Sequence, residues 1–151
     1  MHAIPIKSFV IPVTQEKNGY IIPFNLKGGL IIVQANINDS LGNFVIDTGA
    51  EGLVLNSQHF TGVPDDTRGY YGVSGRGKSL TVSYNNSISV DSLHFLNIHA
   101  DVVDLSSIEL KKDIKILGLI GFSMLRDFEI MFNYRGRFIS LSRVDDKGNV
   151  I

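Results

Sequence analysis

Phe44-Val45-Ile46-Asp47-Thr48-Gly49-Ala50 is an apolar run that stops at a carboxylate, a hydroxyl and a glycine. Three adjacent apolar residues, two of them β-branched, suit a buried strand. Such a strand delivers Asp47 to its own end, in surroundings apolar enough to shift a carboxyl's ionisation. Gly49 lets the backbone turn tightly and approach another backbone closely. Thr48 supplies a donor and an acceptor that tie the loop to a neighbour. Taken alone, the tripeptide equally fits an ordinary strand-to-turn transition, where Asp and Gly are common.

Working outward, the apolar pattern keeps the short period of strands almost everywhere. Leu30-Ile31-Ile32-Val33 leads into Ala35 and Ile37, with polar Gln34, Asn36 and Asn38 between them, which is strand alternation. Asn38-Asp39-Ser40-Leu41-Gly42 is a turn cluster, so this run and Phe44-Val45-Ile46 form a hairpin. Further strands are expected over Leu53 to Leu55, Leu80 to Tyr84, Leu93 to Val103, Phe128 to Phe132 and Phe138 to Leu141. Asp91-Ser92 and Tyr134-Arg135-Gly136-Arg137 supply turns between them. Helical pattern is scarce: Gly121 to Asp127 has room for about two turns and Ser106 to Lys112 for about one. Short strands separated by Gly-rich turns imply an all-β barrel or sandwich. The 151 residues make a single domain, 1–151, long enough to bury about two-thirds of its unfolded surface. Residues 1–25, with Pro5, Pro12 and Pro23, read as edge segments, and residues 143–151 as a polar tail, both peripheral.

Several function classes are disfavoured at once. A formal net charge of −1 lacks the basic face that displaces counterions from nucleic acid, and the five tyrosines do not interleave with basic residues. No apolar run approaches the ~20 residues of a membrane-spanning helix. The absence of cysteine excludes thiolate catalysis and Cys-ligated zinc. Met1 to Phe9 lacks the charged-then-apolar order of a signal peptide, and the compartment stays unassigned. His94 and His99 are five apart, so on a regular strand they point to opposite faces; Asp101 and Asp104 share that parity problem, and no metal site is expected. Asn85-Asn86-Ser87 matches a glycosylation acceptor but has no support from a secretion signal. Gly72-Val73-Ser74-Gly75-Arg76-Gly77-Lys78-Ser79 spells a phosphate-binding loop. That loop needs a strand before it and a helix after it, whereas a polar turn precedes it here and alternating Leu80-Thr81-Val82-Ser83-Tyr84 follows.

Three separated features, in order, resemble the retropepsin-like aspartic proteases, the retroviral enzymes and their cellular and bacterial relatives. The first is Val45-Ile46-Asp47-Thr48-Gly49-Ala50 with acidic Glu51 directly after it. The second is Gly69-Tyr70-Tyr71-Gly72-Val73-Ser74-Gly75-Arg76-Gly77, lying where that family keeps its substrate-covering flap. The third is Leu117-Gly118-Leu119-Ile120-Gly121 followed by Ser123-Met124-Leu125, which looks like the family's apolar-apolar-Gly strand and terminal helix. The likeness runs from Leu30 to Leu141, and the chain's length is nearer to the bacterial relatives.

The resemblance implies a closed barrel with a flap hairpin and one short C-terminal helix, and an aspartic endopeptidase that needs no metal or organic cofactor. It makes Asp47 the catalytic carboxylate, with Thr48 and Gly49 shaping the site. Ala50, Gly72, Val73, Ser74 and Gly75 would contact an extended polypeptide substrate. Asp-Thr-Gly occurs once and Asp-Ser-Gly not at all, so one chain holds half of the family's two-carboxylate site and a homodimer is implied. Thr48 would then bond the opposite loop. One position departs from the family's retroviral members: Phe122 stands where they place an arginine that ties to an acid near the catalytic loop, with Arg126 as a possible stand-in. The alternative is a non-catalytic relative, a peptide-binding or dimerisation module on the same barrel.

Overall fold

The computed structural model describes residues 19–65 and 80–151. Its strands are, in chain order, β1 (Gly19–Pro23), β2 (Asn25–Lys27), β3 (Leu30–Ile37), β4 (Ser40–Ile46), β5 (Leu53–Asn56) and β6 (Val63–Pro64). Then follow β7 (Thr81–Val90), β8 (Leu93–Val103), β9 (Gly118–Ile120), β10 (Phe128–Asn133) and β11 (Phe138–Arg143). Helix α1 (Ser106–Lys112) lies between β8 and β9, and α2 (Phe122–Leu125) between β9 and β10.

One sheet has the order β2-β3-β4-β9-β5-β8-β7-β6, and β3 pairs a second time, with β7. That second pairing closes β3, β4, β9, β5, β8 and β7 into the expected all-β barrel. The closing seam is short, joining Asn36 to Ser89 and Ile37 to Ile88. A separate sheet, β1-β11-β10, packs beside the barrel. β1 occupies its edge, a place that tolerates Pro23. Residues 19–24 are nevertheless more than a fringe, because Ile22 and Phe24 are buried in the core. At the other end Val144 bridges to Val150 around a turn in which Asp145 accepts bonds from Lys147 and Asn149.

The hairpin predicted around Asn38 forms with a tighter turn than the sequence suggested. Asn38 and Asp39 both have positive φ, 47° and 69°, and β4 begins at Ser40. A two-residue turn of this hand matches the twist of its strands, and Asn and Asp tolerate it. The β7–β8 ladder carries two irregularities, one between Ser83 and Asn86 and one between Asn86 and Ile88. Asn85 and Asn97 take positive φ there, 56° and 54°. The second irregularity sets three steps on β8 (Phe95 to Ile98) against two on β7. The extra residue restores the parity that a regular strand would lose, so His94 and His99 share the exposed face of β8. The opposite-face expectation is therefore corrected. Five residues of strand still separate them by more than about 12 Å, and among the described residues no metal-holding group of His, Asp or Glu exists.

α1 spans the residues expected of it, with nearer two turns than one, whereas α2 is shorter than expected. α2 has four residues rather than two turns, because the chain leaves it at once for β10. α1 has seven and ends at Asp113, whose φ of 50° and N–H bond to Glu109 O form a left-handed cap. The helix that a phosphate loop would need after Ser79 is not there, since Leu80 leads directly into β7.

Over part of their length, strands β3, β4, β9 and β5 carry apolar residues on both faces. Val33, Phe44, Leu53, Leu55 and Ile120 join one core with Ile37 and Ile88, and Leu141 of the second sheet belongs to the same cluster. Ile32, Val45 and Leu119 point the other way, where Leu105, Ile116, Ile108 and Ile114, from α1 and its flanks, cover them in part. The alternation of β4 carries on to its end, so Asp47 follows Val45 onto the face that α1 only partly covers.

Candidate active site

Asp47 sits where β4 leaves the sheet, between its parallel neighbour β9 and the loop into β5. Its N–H donates to Ile120 O at 3.0 Å, a last backbone bond beyond the strand that fixes the position of its Cα. Gly49 N–H donates to Asp47 Oδ1 at 2.9 Å and Ala50 N–H to Asp47 O at 3.1 Å. The chain thus turns around its own carboxylate, and one carboxylate oxygen is held while the other has no partner among the described residues. Asp47 is half-buried; Thr48 and Gly49 are exposed.

What fixes the rest of this loop is the approach of α2. Phe122 N–H donates to Ala50 O at 2.9 Å and Ser123 N–H to Glu51 O at 2.7 Å. The two backbones come so close at Gly121 that a Cβ there would lie 2.4 Å from Gly52 O and 2.7 Å from Ala50 O. At Gly118 a Cβ would lie 2.1 Å from Val54 O. Around this loop these two glycines, not Gly49, make the close backbone approaches. A Cβ on Gly49 would meet only Asp47 Oδ1, at 3.2 Å, and its φ is not in the left-handed region. The tight-turn role expected of Gly49 is corrected accordingly: Asp47's side chain closes the turn, with no glycine-only geometry.

The arginine stand-in also fails. Arg126 is 68% exposed and its ion-pair neighbour is adjacent Asp127, at 3.9 Å, rather than an acid of the Asp47–Gly52 loop. The backbone bonds from Phe122 and Ser123 hold the two loops together instead. Phe122 itself is 58% exposed. Of the predicted site residues, Asp47, Thr48, Gly49 and Ala50 form one loop; Gly72, Val73, Ser74 and Gly75 lie outside the described residues. The ladder leading to them is described as far as Asp65, whose N–H bonds to Leu80 O at 2.7 Å.

Two features escaped the sequence reading. A cleft runs from Asp47 between Gly29, Leu30 and Ile31 on one side and Ile108 on the other, over Val45, Ile46 and Leu119. Behind α1, fully buried Asn56 organises a polar cluster. Its Nδ2 donates to Glu109 Oε1 and Ile116 O, both at 2.9 Å, and its Oδ1 accepts from Gln58 and Leu105 N–H, both at 3.1 Å. Glu109 Oε2 meets His59 Nε2 at 3.0 Å and accepts from Ile116 N–H at 3.0 Å. Burial pushes the Glu109 carboxyl up, but the bonds from His59, Ile116 and Asn56 outweigh it and hold the group below its ordinary value. Leu53-Val54-Leu55-Asn56 does signal a polar residue at the end of a buried strand. Nothing in the linear order pairs position 56 with 109.

Residues 33–124, more than half of the chain, match the family described as "Aspartyl protease". Among solved structures the chain is similar to a retropepsin-like aspartic protease from Rickettsia conorii, with 22% identity and a TM-score of 0.50 over 82% of this chain and 88% of that one. That likeness speaks for the fold. No curated protein matches.

Proposed function

The chain belongs to the aspartyl protease family, and from that premise we propose that it is an aspartic endopeptidase working as a homodimer, each subunit lending one Asp47. Two carboxyls ~3 Å apart cannot both ionise, so the pair would share a proton. The ionised member takes a proton from water while the protonated member polarises the scissile carbonyl. Thr48 and Gly49, exposed on one chain, would meet the partner's loop; Ala50 and residues 72–75 would hold the extended peptide by strand addition.

The observation that carries this reading is the state of Asp47. A strand end and a side chain–backbone turn aim it outward, with one oxygen held and the other open. A chain with a single such loop offers half of a two-acid site. The test is proteolysis of an unstructured protein substrate from pH 3 to 7 beside sedimentation analysis across a dilution series. Activity should rise and fall with pH, because doubly protonated and doubly ionised pairs are both idle. It should track the dimer fraction and drop by roughly 10³-fold or more in Asp47→Asn. Cleavage that survives that substitution, or a fully active lone chain, overturns the proposal.

A further inference from the structure

The cleft beside Asp47 has two walls that lie outside the Asp-Thr-Gly loop. One is the tip of the β2–β3 hairpin, Gly29 and Leu30; the other is Ile108 of α1. Val45 and Leu119 make the floor. Apart from Asp47, every described side chain lining this space is aliphatic, so away from that carboxylate these side chains offer no partner to a polar or charged group.

Packing alone does not set the walls: α1 fully buries none of its residues, although Ile108 packs in part on Val45 and Leu119, and polar bonds add to it. Lys112 Nζ donates to Gly28 O at 2.6 Å, and Lys27 Nζ donates to Asp113 O at 2.5 Å. Helix end and hairpin tip thus clasp each other reciprocally. The Lys112 stem also lies over Gly28, where a Cβ would come within 2.5 Å of its Cδ and where φ is +57°. On its other side α1 is pinned through Glu109 to Asn56, His59 and Ile116.

We propose that α1 is the specificity wall of this cleft: Ile108 and Leu30, held at a set distance by the Lys27–Lys112 clasp, admit a branched aliphatic side chain beside the scissile bond and reject aromatic and charged ones. This rests on the proteolytic reading of Asp47 for the identity of the ligand. The clasp explains how a short helix with no buried residue can hold a fixed spacing, and Ile108 is the side chain that sets its width.

The test uses peptides with a non-hydrolysable reduced bond that differ at one flanking residue, Leu, Phe or Lys, titrated onto the Asp47→Asn protein. Cleavage of the matching ordinary peptides by the wild-type chain is followed in parallel. The Leu peptide should bind and be cut best. Ile108→Ala should shift the Phe-to-Leu ratio toward Phe by roughly tenfold or more. The paired change Lys27→Met with Lys112→Met, which leaves the cleft lining intact, should relax it in the same direction. Circular dichroism confirms that each variant is folded. A ratio unmoved by both changes, or no peptide binding at all, overturns the inference. Asp47-dependent cleavage with an unmoved ratio removes the wall and keeps the protease; Ile108-governed binding in a chain that never cleaves does the reverse.

Discussion

The loop Asp47–Gly52 and helix α1 border the same cleft, yet they are held in different ways. Backbone bonds with Phe122, Ser123 and Ile120 of β9 fix the loop, and its approach to Gly121 is so close that a side chain is excluded there. α1 is held by the side chains of Lys27, Lys112, Glu109 and Asn56. A backbone lattice does not titrate and gives few positions at which substitution can adjust it. Side-chain ties can be retuned one residue at a time. The Asp47 side of the cleft is therefore built to be invariant in shape, and the wall facing it to be adjustable.

The comparison breaks first if glycine is dispensable in the loop. Gly121→Ala would force a Cβ against Gly52 O and Ala50 O, and should destabilise the chain by about 3 kcal/mol, measured by urea unfolding. A loss below about 1 kcal/mol would mean that the loops move apart freely. Next comes Asn56→Ala, which strips partners from the Gln58 and Leu105 N–H groups and from the Ile116 carbonyl. An expected cost of about 2–3 kcal/mol follows from leaving buried groups unpaired, read in the same assay.

The pH dependence sharpens the contrast. Glu109 has a folded pKa below its unfolded value of 4.5, so the unfolded chain binds more protons in that range. Its contribution is complete above the unfolded value and is lost as pH falls through the folded one. Unfolding curves for wild type and Glu109→Gln should therefore converge as the medium is acidified from pH 6 to 3; parallel curves would dismiss the tie. The smallest effect is expected at Gly49→Ala. With only Asp47 Oδ1 near the new methyl group, stability of the lone chain should change by less than about 1 kcal/mol. On the proposed dimer, activity should fall more steeply than stability, because a partner's loop would have to fit against this position.

How much of this was readable from the sequence follows the same divide. The run Phe44-Val45-Ile46 announced both a buried strand and the acid at its end, because alternation and abrupt polarity are local signals. Leu117-Gly118-Leu119-Ile120-Gly121 stood out as well, although the reason Gly118 and Gly121 are needed appears only when Val54, Ala50 and Gly52 are brought against them. Parity reasoning misjudged His94 and His99 because Asn97, in a left-handed conformation between them, adds a residue to the strand. α1 was underestimated: its apolar content is small, and the bonds that keep it helical reach to residues 28, 56 and 59. Pairings across such distances leave no trace in a periodicity.

The barrel is fastened at its thinnest point by asparagine. β3 and β7 share two residue pairs, and beyond them Asn38 bonds to Ser87 N–H, Ser87 O and the Asn86 side chain at 2.8–3.0 Å. A cylinder with one narrow zip should breathe there before it melts elsewhere, and amide exchange should be fastest along that line. Because β7 pairs with β8 as well as with β3, loosening the zip would be felt along the whole β7–β8 ladder, far from the turn that carries Asn38.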